Sequence, residues 1–394
     1  MLAASCHLVD QAGLAALALR PLARQLGVSV TVLSHHFGLR AEVQDAICRS
    51  ACAAQLALLA PWRNWPQAGQ ALLPAPLAAD LLLTLLEHLV DQHRSLTLLQ
   101  LEVMHGSQHD TGWCAGWQRW RTPLEQFWNA LGRQAGLPDT LLESGWWFGY
   151  VMAELAYGLS LSTLPSYRLL RRLSLQRVLA GGVAAALPVD AGWFARLQQE
   201  MLVPEPVPVP SLRAPAWLQA AARCCGELLA AQGVAGLTHR AVAAAIGIPH
   251  TSLSYRYPSQ HALVLLGLDY ITAHIMAAVK ADSLPELERR RMADAGHKLD
   301  LARASFAVAL AAPRLTELQA RNASMRAWRG SNLVHVLAKT LPPDSRIDCL
   351  SAHVVSLGLL GLGNMPAAEA EQAAAFGAAA QWLQGNSQLT HHSA

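Results

Sequence analysis

The sequence predicts an all-α protein built from two repeated helical units, and three observations support that prediction. The chain is rich in Ala and Leu, with 53% hydrophobic and only 14% charged residues, a composition suited to densely packed helices rather than disorder. Apolar residues return at spacings of three and four in one segment after another, the period of a one-sided helix. Finally, the chain resembles itself when slid by 220 residues, so that "GVSVTVLSHHF" (27–37) falls on "GIPHTSLSYRY" (247–257). At 394 residues there is room for two or three domains, each able to bury a core.

Across the 40 positions from Ala4 to Val43 the repeat has ten identical pairs, among them Gly13/Gly233, Arg20/Arg240, Ala23/Ala243, Gly27/Gly247, Leu33/Leu253 and Ser34/Ser254. Their placement matters more than their number, because both glycines and the apolar skeleton coincide. Gly13 and Gly233 sit just past an Ala/Leu helix, where a residue with positive φ is wanted. Leu19, Leu22, Ala23 and Leu26 then form the stripe of a next helix. Gly27 or Gly247 supplies a tight turn into a second short helix, started by Ser29 in one copy and Pro249 in the other. Two helices crossing through such a turn make a helix-turn-helix, whose second helix enters the DNA major groove.

Beyond each copy the helical period predicts helices near 41–60, 76–92, 94–107, 113–135, 139–162 and 166–187, and again near 261–280, 285–311, 314–341, 345–362 and 367–384. Between the halves, "VPEPVPVPSLRAP" (203–215) carries five prolines. At about 3.1 Å per residue it spans roughly 40 Å as a semi-rigid strap. The expected organisation is therefore a first helix-turn-helix domain (1–50), a first helical regulatory domain (51–202), the linker (203–215), a second helix-turn-helix domain (216–267) and a second helical regulatory domain (268–394). The segments over 141–162 and 166–187 are expected to meet those over 346–364 and 367–384. Gly358, Gly361 and Gly363, or Ala373, Ala374 and Ala378, suit a close four-helix seam, although a plain buried core explains them equally well.

Both copies resemble the DNA-binding region of the tetracycline-repressor (TetR) family. The second matches with Thr238, Arg240, Ala243, Gly247, Leu253, Tyr257 and Pro258; the first keeps Arg20, Ala23, Gly27, Val28, Ser29, Leu33 and Phe37. Ser34 and Ser254 replace a Tyr that touches phosphate in that family, Ala18 replaces the capping Thr, and Gln260 a basic residue. Because the first copy begins at Met1, no N-terminal arm is expected. The resemblance implies a tandem duplication of a TetR-like protomer: an intramolecular pseudo-dimer with two different reading heads. It would be a transcriptional regulator, most simply a repressor, whose partners are double-stranded operator DNA and a small effector. Whether such a pseudo-dimer pairs again is left open.

The candidate DNA contacts are Arg20, Ser29, Thr31, Ser34, His35, His36 and Arg40 in the first head. In the second they are Thr238, Arg240, His250, Thr251, Ser252, Ser254, Tyr255, Arg256 and Gln260. Arg256 has the fork that reads guanine bidentately. Charge is thin for this task. Residues 1–50 hold four Arg against three acids, a net of +1; residues 215–265 hold three Arg against Glu227, a net of +2; and the whole chain is +3. That balance keeps a second reading open, an all-α adaptor that kept the fold and lost DNA binding.

Trp113, Trp117, Trp120 and Phe127 form a stripe, followed by Trp146, Trp147 and Tyr150, with few aromatic counterparts in the second half. An apolar or aromatic effector pocket and a packed core both account for it. Glu102, His105 and His109, spaced i, i+3 and i+7, could share a helix face as metal ligands, although helix-end histidines are the simpler reading. Cys48, Cys52, Cys224 and Cys225 read as buried small hydrophobes, with oxidant sensing as the alternative.

Seven cysteines in irregular positions give no disulfide framework, and the N-terminus has no basic start to a secretory signal. The longest uncharged stretch, 349–368, is broken by glycines, His353, Asn364 and Pro366 and reads as a buried helix, not a membrane span. A cytoplasmic protein is expected. No phosphate loop, nucleophile elbow or catalytic acid pair is present in the sequence, so neither enzyme activity nor a cofactor is expected.

Overall fold

Glycine places the first turns of the chain. In the computed structural model, α1 (Leu2–Ala12) ends at Gly13, whose φ of 75° is a conformation that other residues rarely adopt. A short 3₁₀ turn (Leu14–Ala16) leads to α2 (Leu19–Gln25), and Gly27 (φ 68°) turns the chain into α3 (Val30–Phe37). Ser29 caps α3, its Oγ accepting from the Val32 amide at 3.2 Å. The long α4 (Arg40–Asn64) then carries the chain away. The structure describes residues 1–64, 73–181, 188–202, 215–279, 300–331, 333–334, 337, 348–366 and 369–384.

The same construction recurs 220 residues later. α12 (Ala216–Gly236) breaks at Gly233 (φ 67°), α13 (His239–Ile246) ends on left-handed Gly247 (φ 70°), and α14 (His250–Arg256) and α15 (Gln260–Val279) follow. One backbone hydrogen bond closes the glycine turn in each copy, Val28 N to Ala23 O at 3.0 Å and Ile248 N to Ala243 O at 3.1 Å. Leu17, Leu22, Ala23 and Leu33 are buried, as are Leu237, Val242, Ala243 and Leu253 at the matching positions. Thr238 caps α13, accepting from Ala241 N at 3.1 Å, whereas Ala18 leaves α2 without a side-chain cap.

Between these units lie α5 (Ala75–Glu87), which runs into a π-helical turn, then α6 (Arg94–Gly106), α7 (Thr111–Gln134), α8 (Asp139–Glu143), α9 (Trp146–Leu161), α10 (Pro165–Ala180) and α11 (Pro188–Met201). After the second unit come α16 (Leu301–Ala311), α17 (Gln319–Ala327), α18 (Cys349–Leu362) and α19 (Glu369–Gln384). The protein is all-α: no strand occurs among the described residues. α11 was not expected, although Phe194, Leu197 and Met201 form its buried stripe. Apart from Pro215, the Pro-rich linker lies outside the described residues, and the helices expected over 285–311 and 314–341 are described only in part. Among the described residues no helix is long and apolar enough to cross a membrane.

The largest apolar cluster joins helices from both halves. α9 is buried along its whole length and packs on α18. Glycines set the approach: a Cβ on Gly358 would lie 2.2 Å from the Trp146 ring, and one on Gly361 would lie 1.9 Å from the Gly149 carbonyl. α10 and α19 flank this pair, and the Trp382 indole donates to Val178 O at 2.7 Å. The four helices expected to share a seam therefore do meet, with two adjustments. Gly363 stands outside the close contact, and Ala373 and Ala374 are exposed while Ala375 and Ala379 face inward.

A polar knot lies inside this seam. Arg326 on α17 and Glu154 on α9 form an ion pair at 2.7 Å with both side chains fully buried. The Tyr167 hydroxyl donates to Glu154 at 3.1 Å, and the guanidinium faces the rings of Tyr157 and Tyr167. The His353 ring stands against Arg326 through Nε2, and its Nδ1–H donates to Arg329 O at 2.7 Å. Nearby, Asn322 Nδ2 donates to Ser160 Oγ at 2.8 Å.

Candidate nucleic-acid interface

The heads are mounted on helices of the body: α1 packs on α6 and α4 on α7, α12 packs on α16, and α6 and α16 contact each other. The short helices α3 and α14 present matching faces. Leu33 and Leu253 are buried, Ser34 and Ser254 are half-buried, and the three residues before each leucine and two after each serine are exposed. Thr31, His35 and His36 thus lie outward on α3, and His250, Thr251, Ser252, Tyr255 and Arg256 lie outward on α14. Tyr255 is 93% exposed. Arg20 and Arg240 occupy the same exposed place at the start of α2 and α13, and neither forms an ion pair among the described residues.

Other candidates are committed to internal work. Ser29 and Thr238 spend their hydroxyls as caps. Arg40, where a phosphate-contacting cation was expected, bonds Asp110 at 2.6 Å, and Asp110 also caps α7. Gln260, at the matching position, donates to Val234 O and Leu237 O at 3.0 Å, holding the bend at the end of α12. The faces also differ in polarity: the first head exposes Val28, Val30, Val32, Phe37 and Leu39, while Leu253 is buried and Tyr255 is the exposed large apolar residue of α14.

The aromatic stripe packs as core. Trp117, Trp120, Phe127, Trp146, Trp147 and Tyr150 are all at most 2% exposed, and Trp113 is at 4%. Three indoles are anchored: Trp120 Nε1 donates to Gln55 at 2.8 Å, Trp147 Nε1 to Trp128 O at 2.8 Å, and Trp146 Nε1 to Val355 O at 3.3 Å. Burial and the neighbouring Glu154 push the Tyr150 hydroxyl well above the usual phenol range. Open space lies elsewhere, in a half-open cleft of about 1050 Å³ between the two heads, and of the seven aromatics only Trp113 borders it.

The floor of that cleft ties the heads to the body. Glu102 on α6 pairs with Arg314 at 2.8 Å and accepts from Leu14 N at 3.4 Å, while Arg314 donates to Val9 O at 3.2 Å. Arg303 on α16 donates to Ala230 O at 3.2 Å and meets His109 Nε2 at 2.8 Å. His105 bonds Asn364 at 2.9 Å. The Glu102–His105–His109 face therefore meets arginines and an amide from the other half of the chain, where metal ligation would need open coordination. Among the described residues no cluster of His, Cys, Asp or Glu could hold a metal ion. Sequence spacing had flagged these three residues, but their partners lie some 200 positions away and no local signal points to them.

Burial, aided by Arg303, lowers the His105 pKa from 6.5 to about 3. The unfolded chain takes up that proton near pH 6.5 and the folded chain does not, so this contribution to stability is complete above pH 6.5. It is lost as pH falls from 6.5 towards 3, by about 1.4 kcal/mol per pH unit. Melting temperatures are expected to drop between pH 7 and pH 5 and to drop less in His105→Phe. Equal slopes in the two proteins would refute the assignment. The Cys48 and Cys225 thiols are pushed up to about 12 by burial, which leaves little thiolate for oxidant chemistry.

No protein-family model matches the chain, and no curated protein sequence matches it either.

Proposed function

We propose that the protein is a DNA-binding transcriptional regulator, a tandem duplication of a TetR-like unit in which two non-identical helix-turn-helix heads are displayed by one helical body as an intramolecular pseudo-dimer. The observation that carries this reading is the matched pair of outward faces. The same glycine turn, the same closing hydrogen bond and the same pattern of a buried leucine among exposed residues recur at α3 and α14. Among the described residues no side-chain hydrogen bond or ion pair engages the exposed Thr31, His35 and His36 or Thr251 and Tyr255, while Arg256 reaches the Tyr257 hydroxyl. Arg20 and Arg240 supply backbone-phosphate contacts beside the two helices. Regulation follows if an effector binds one spacing of the heads more tightly than another.

The two heads carry different side chains, so the operator is expected to be asymmetric. Selection from random duplex DNA should return a non-palindromic consensus; a palindrome would overturn this expectation. Binding should weaken between 50 and 200 mM salt, as fluorescence anisotropy would show, with a shallow slope because few cations are free. Arg256→Ala is expected to cost about 1–3 kcal/mol on the selected site and to relax discrimination at one base pair. A uniform loss across all sequences would reassign Arg256 to phosphate contact.

A second reading has its own observation. The first head exposes Val28, Val30, Val32, Phe37 and Leu39 together, and its Arg40 is tied to Asp110. Such a surface suits a protein partner better than a phosphate backbone. If no salt-sensitive DNA complex forms, the adaptor reading takes its place.

A further inference from the structure

The two heads are tied to the body by arginines of a single segment, and each tie crosses between the halves of the chain. Arg314 lies just beyond the end of α16, held there by its amide, which donates to Ala311 O at 2.9 Å. Its side chain reaches the first head, where it donates to Val9 O at 3.2 Å and pairs with Glu102 of α6 at 2.8 Å. Glu102 in turn accepts from Leu14 N at 3.4 Å. Arg303, in the first turn of α16, reaches the second head, its Nε donating to Ala230 O at 3.2 Å. Its Nη2 meets the first half of the chain, through His105 O at 3.4 Å and His109 Nε2 at 2.8 Å.

These ties act at equivalent places. In the repeat Val9 matches Leu229, so Val9 and Ala230 stand one position apart in register, each in the last turn before a glycine bend at Gly13 or Gly233. Cations are favoured beside the carbonyls of a helix end. The bends are the points about which the heads would swing, because positive φ interrupts the helix there. A Cβ on Gly13 would lie 3.1 Å from Arg314 Nη2 and 3.2 Å from Glu102 Oε1, so the ion pair rests directly on the first bend. The Arg314 and Glu102 side chains are 14% and 11% exposed, and water screens them far less than Arg40 and Asp110, at 66% and 27%. Between the two arginines α16 is a buried rod, with every residue from Ala304 to Ala312 buried.

We propose that Arg314 and Arg303 are positioning residues that fix the separation of the two heads, and so determine which spacing of operator half-sites the protein accepts. The spacing part rests on the regulator reading above; the separation part does not. Operators read by paired heads present half-sites about 34–36 Å apart. A head free to swing at its glycine would tolerate several spacings, whereas a head clamped to the opposite half tolerates one. Arg314 is the more telling of the two, because 305 positions of chain separate it from the Val9 carbonyl that it holds.

Double electron–electron resonance on the full chain, without DNA, tests the separation. Spin labels are carried on a genetically encoded keto amino acid at Thr31 and Thr251, matched and exposed positions of the two heads. Wild type should give one narrow distance distribution. Arg314→Met should broaden or shift it, and Arg314→Lys should restore it in part. Glu102→Gln removes the charge while keeping an acceptor for Leu14 N; it should broaden the distribution as well, and serves if Arg314→Met does not fold. Trp382→Phe, which loses the indole bond to Val178 O, controls for general loosening and should leave the distribution narrow. The spacing arm uses unlabelled protein and the selected operator with one or two base pairs inserted between its half-sites. Wild type should lose about tenfold or more in affinity at two inserted pairs, and Arg314→Met about threefold or less. Distributions unchanged in both Arg314→Met and Glu102→Gln, or equal broadening in Trp382→Phe, would overturn the proposal, as would an undiminished spacing preference in Arg314→Met. Where no DNA binds, the regulator reading fails and the distance result alone decides the separation. Where DNA binds and the distances do not change, that reading stands and this proposal falls.

Discussion

Arg326→Met is expected to cost the fold about 3–5 kcal/mol, read as a lower urea midpoint. Arg326 and Glu154 are both fully excluded from water, and their contact at 2.7 Å joins α17 to α9 across the sequence. Removing the cation leaves Glu154 buried with the Tyr167 hydroxyl still donating to it, and leaves the His353 ring without its guanidinium neighbour. The penalty arises from the stranded carboxylate more than from the lost attraction. The double variant Glu154→Leu/Arg326→Met should therefore recover much of the loss, because two well-packed apolar groups carry no desolvation cost. A single-variant loss below about 1 kcal/mol, or a double variant no better than Arg326→Met, would show that the pair is not what holds these helices.

The second large effect is expected at the glycine contact. In Gly361→Leu even the first added atom would fall 1.9 Å from the Gly149 carbonyl and 2.9 Å from its Cα, so the backbones of α9 and α18 must part. Ordinary overpacking costs about 1–3 kcal/mol through side-chain adjustment. Here no side chain can yield, and the loss should exceed that range, with a melting transition that is lower and broader than wild type. Gly377→Ala on α19 is the control. Nothing lies within 4 Å of its added Cβ, and replacing a helical glycine should stabilise by about 1 kcal/mol. A Gly361→Leu protein that melts like wild type would refute the packing described for α9 and α18.

Much of the helical layout was legible because it depends on local chemistry. The apolar period placed most helices to within a few residues, and Gly13, Gly27 and Gly247 marked turns because positive φ needs glycine. α11 escaped notice because "LPVDAG" reads as a loop and hides the Phe194–Leu197–Met201 stripe. The inward face of α19 was misplaced because alanine occupies nearly every position there, so no stripe distinguishes Ala373 from Ala375. Side-chain allegiance was harder still. Arg40 and Gln260 look alike from sequence as cations or donors near phosphate, yet one serves Asp110 and the other the carbonyls closing α12. Glu154 drew no notice in the sequence, because its partner lies 172 positions away. Likewise, the tryptophan period could not say whether the indoles surround a void; their bonds to Gln55, Trp128 and Val355 are contacts between helices.

The Trp146–Gly358 contact has a consequence for how this seam can change. Were α9 and α18 contributed by identical subunits about a two-fold axis, every substitution would arrive twice, and a bulky residue could not be introduced opposite a small one without its copy appearing on the other side. Within a single chain each face mutates independently. One helix can keep its indole as a knob while the other keeps its glycines as the socket, and the junction can change without ever passing through a form that must fit itself.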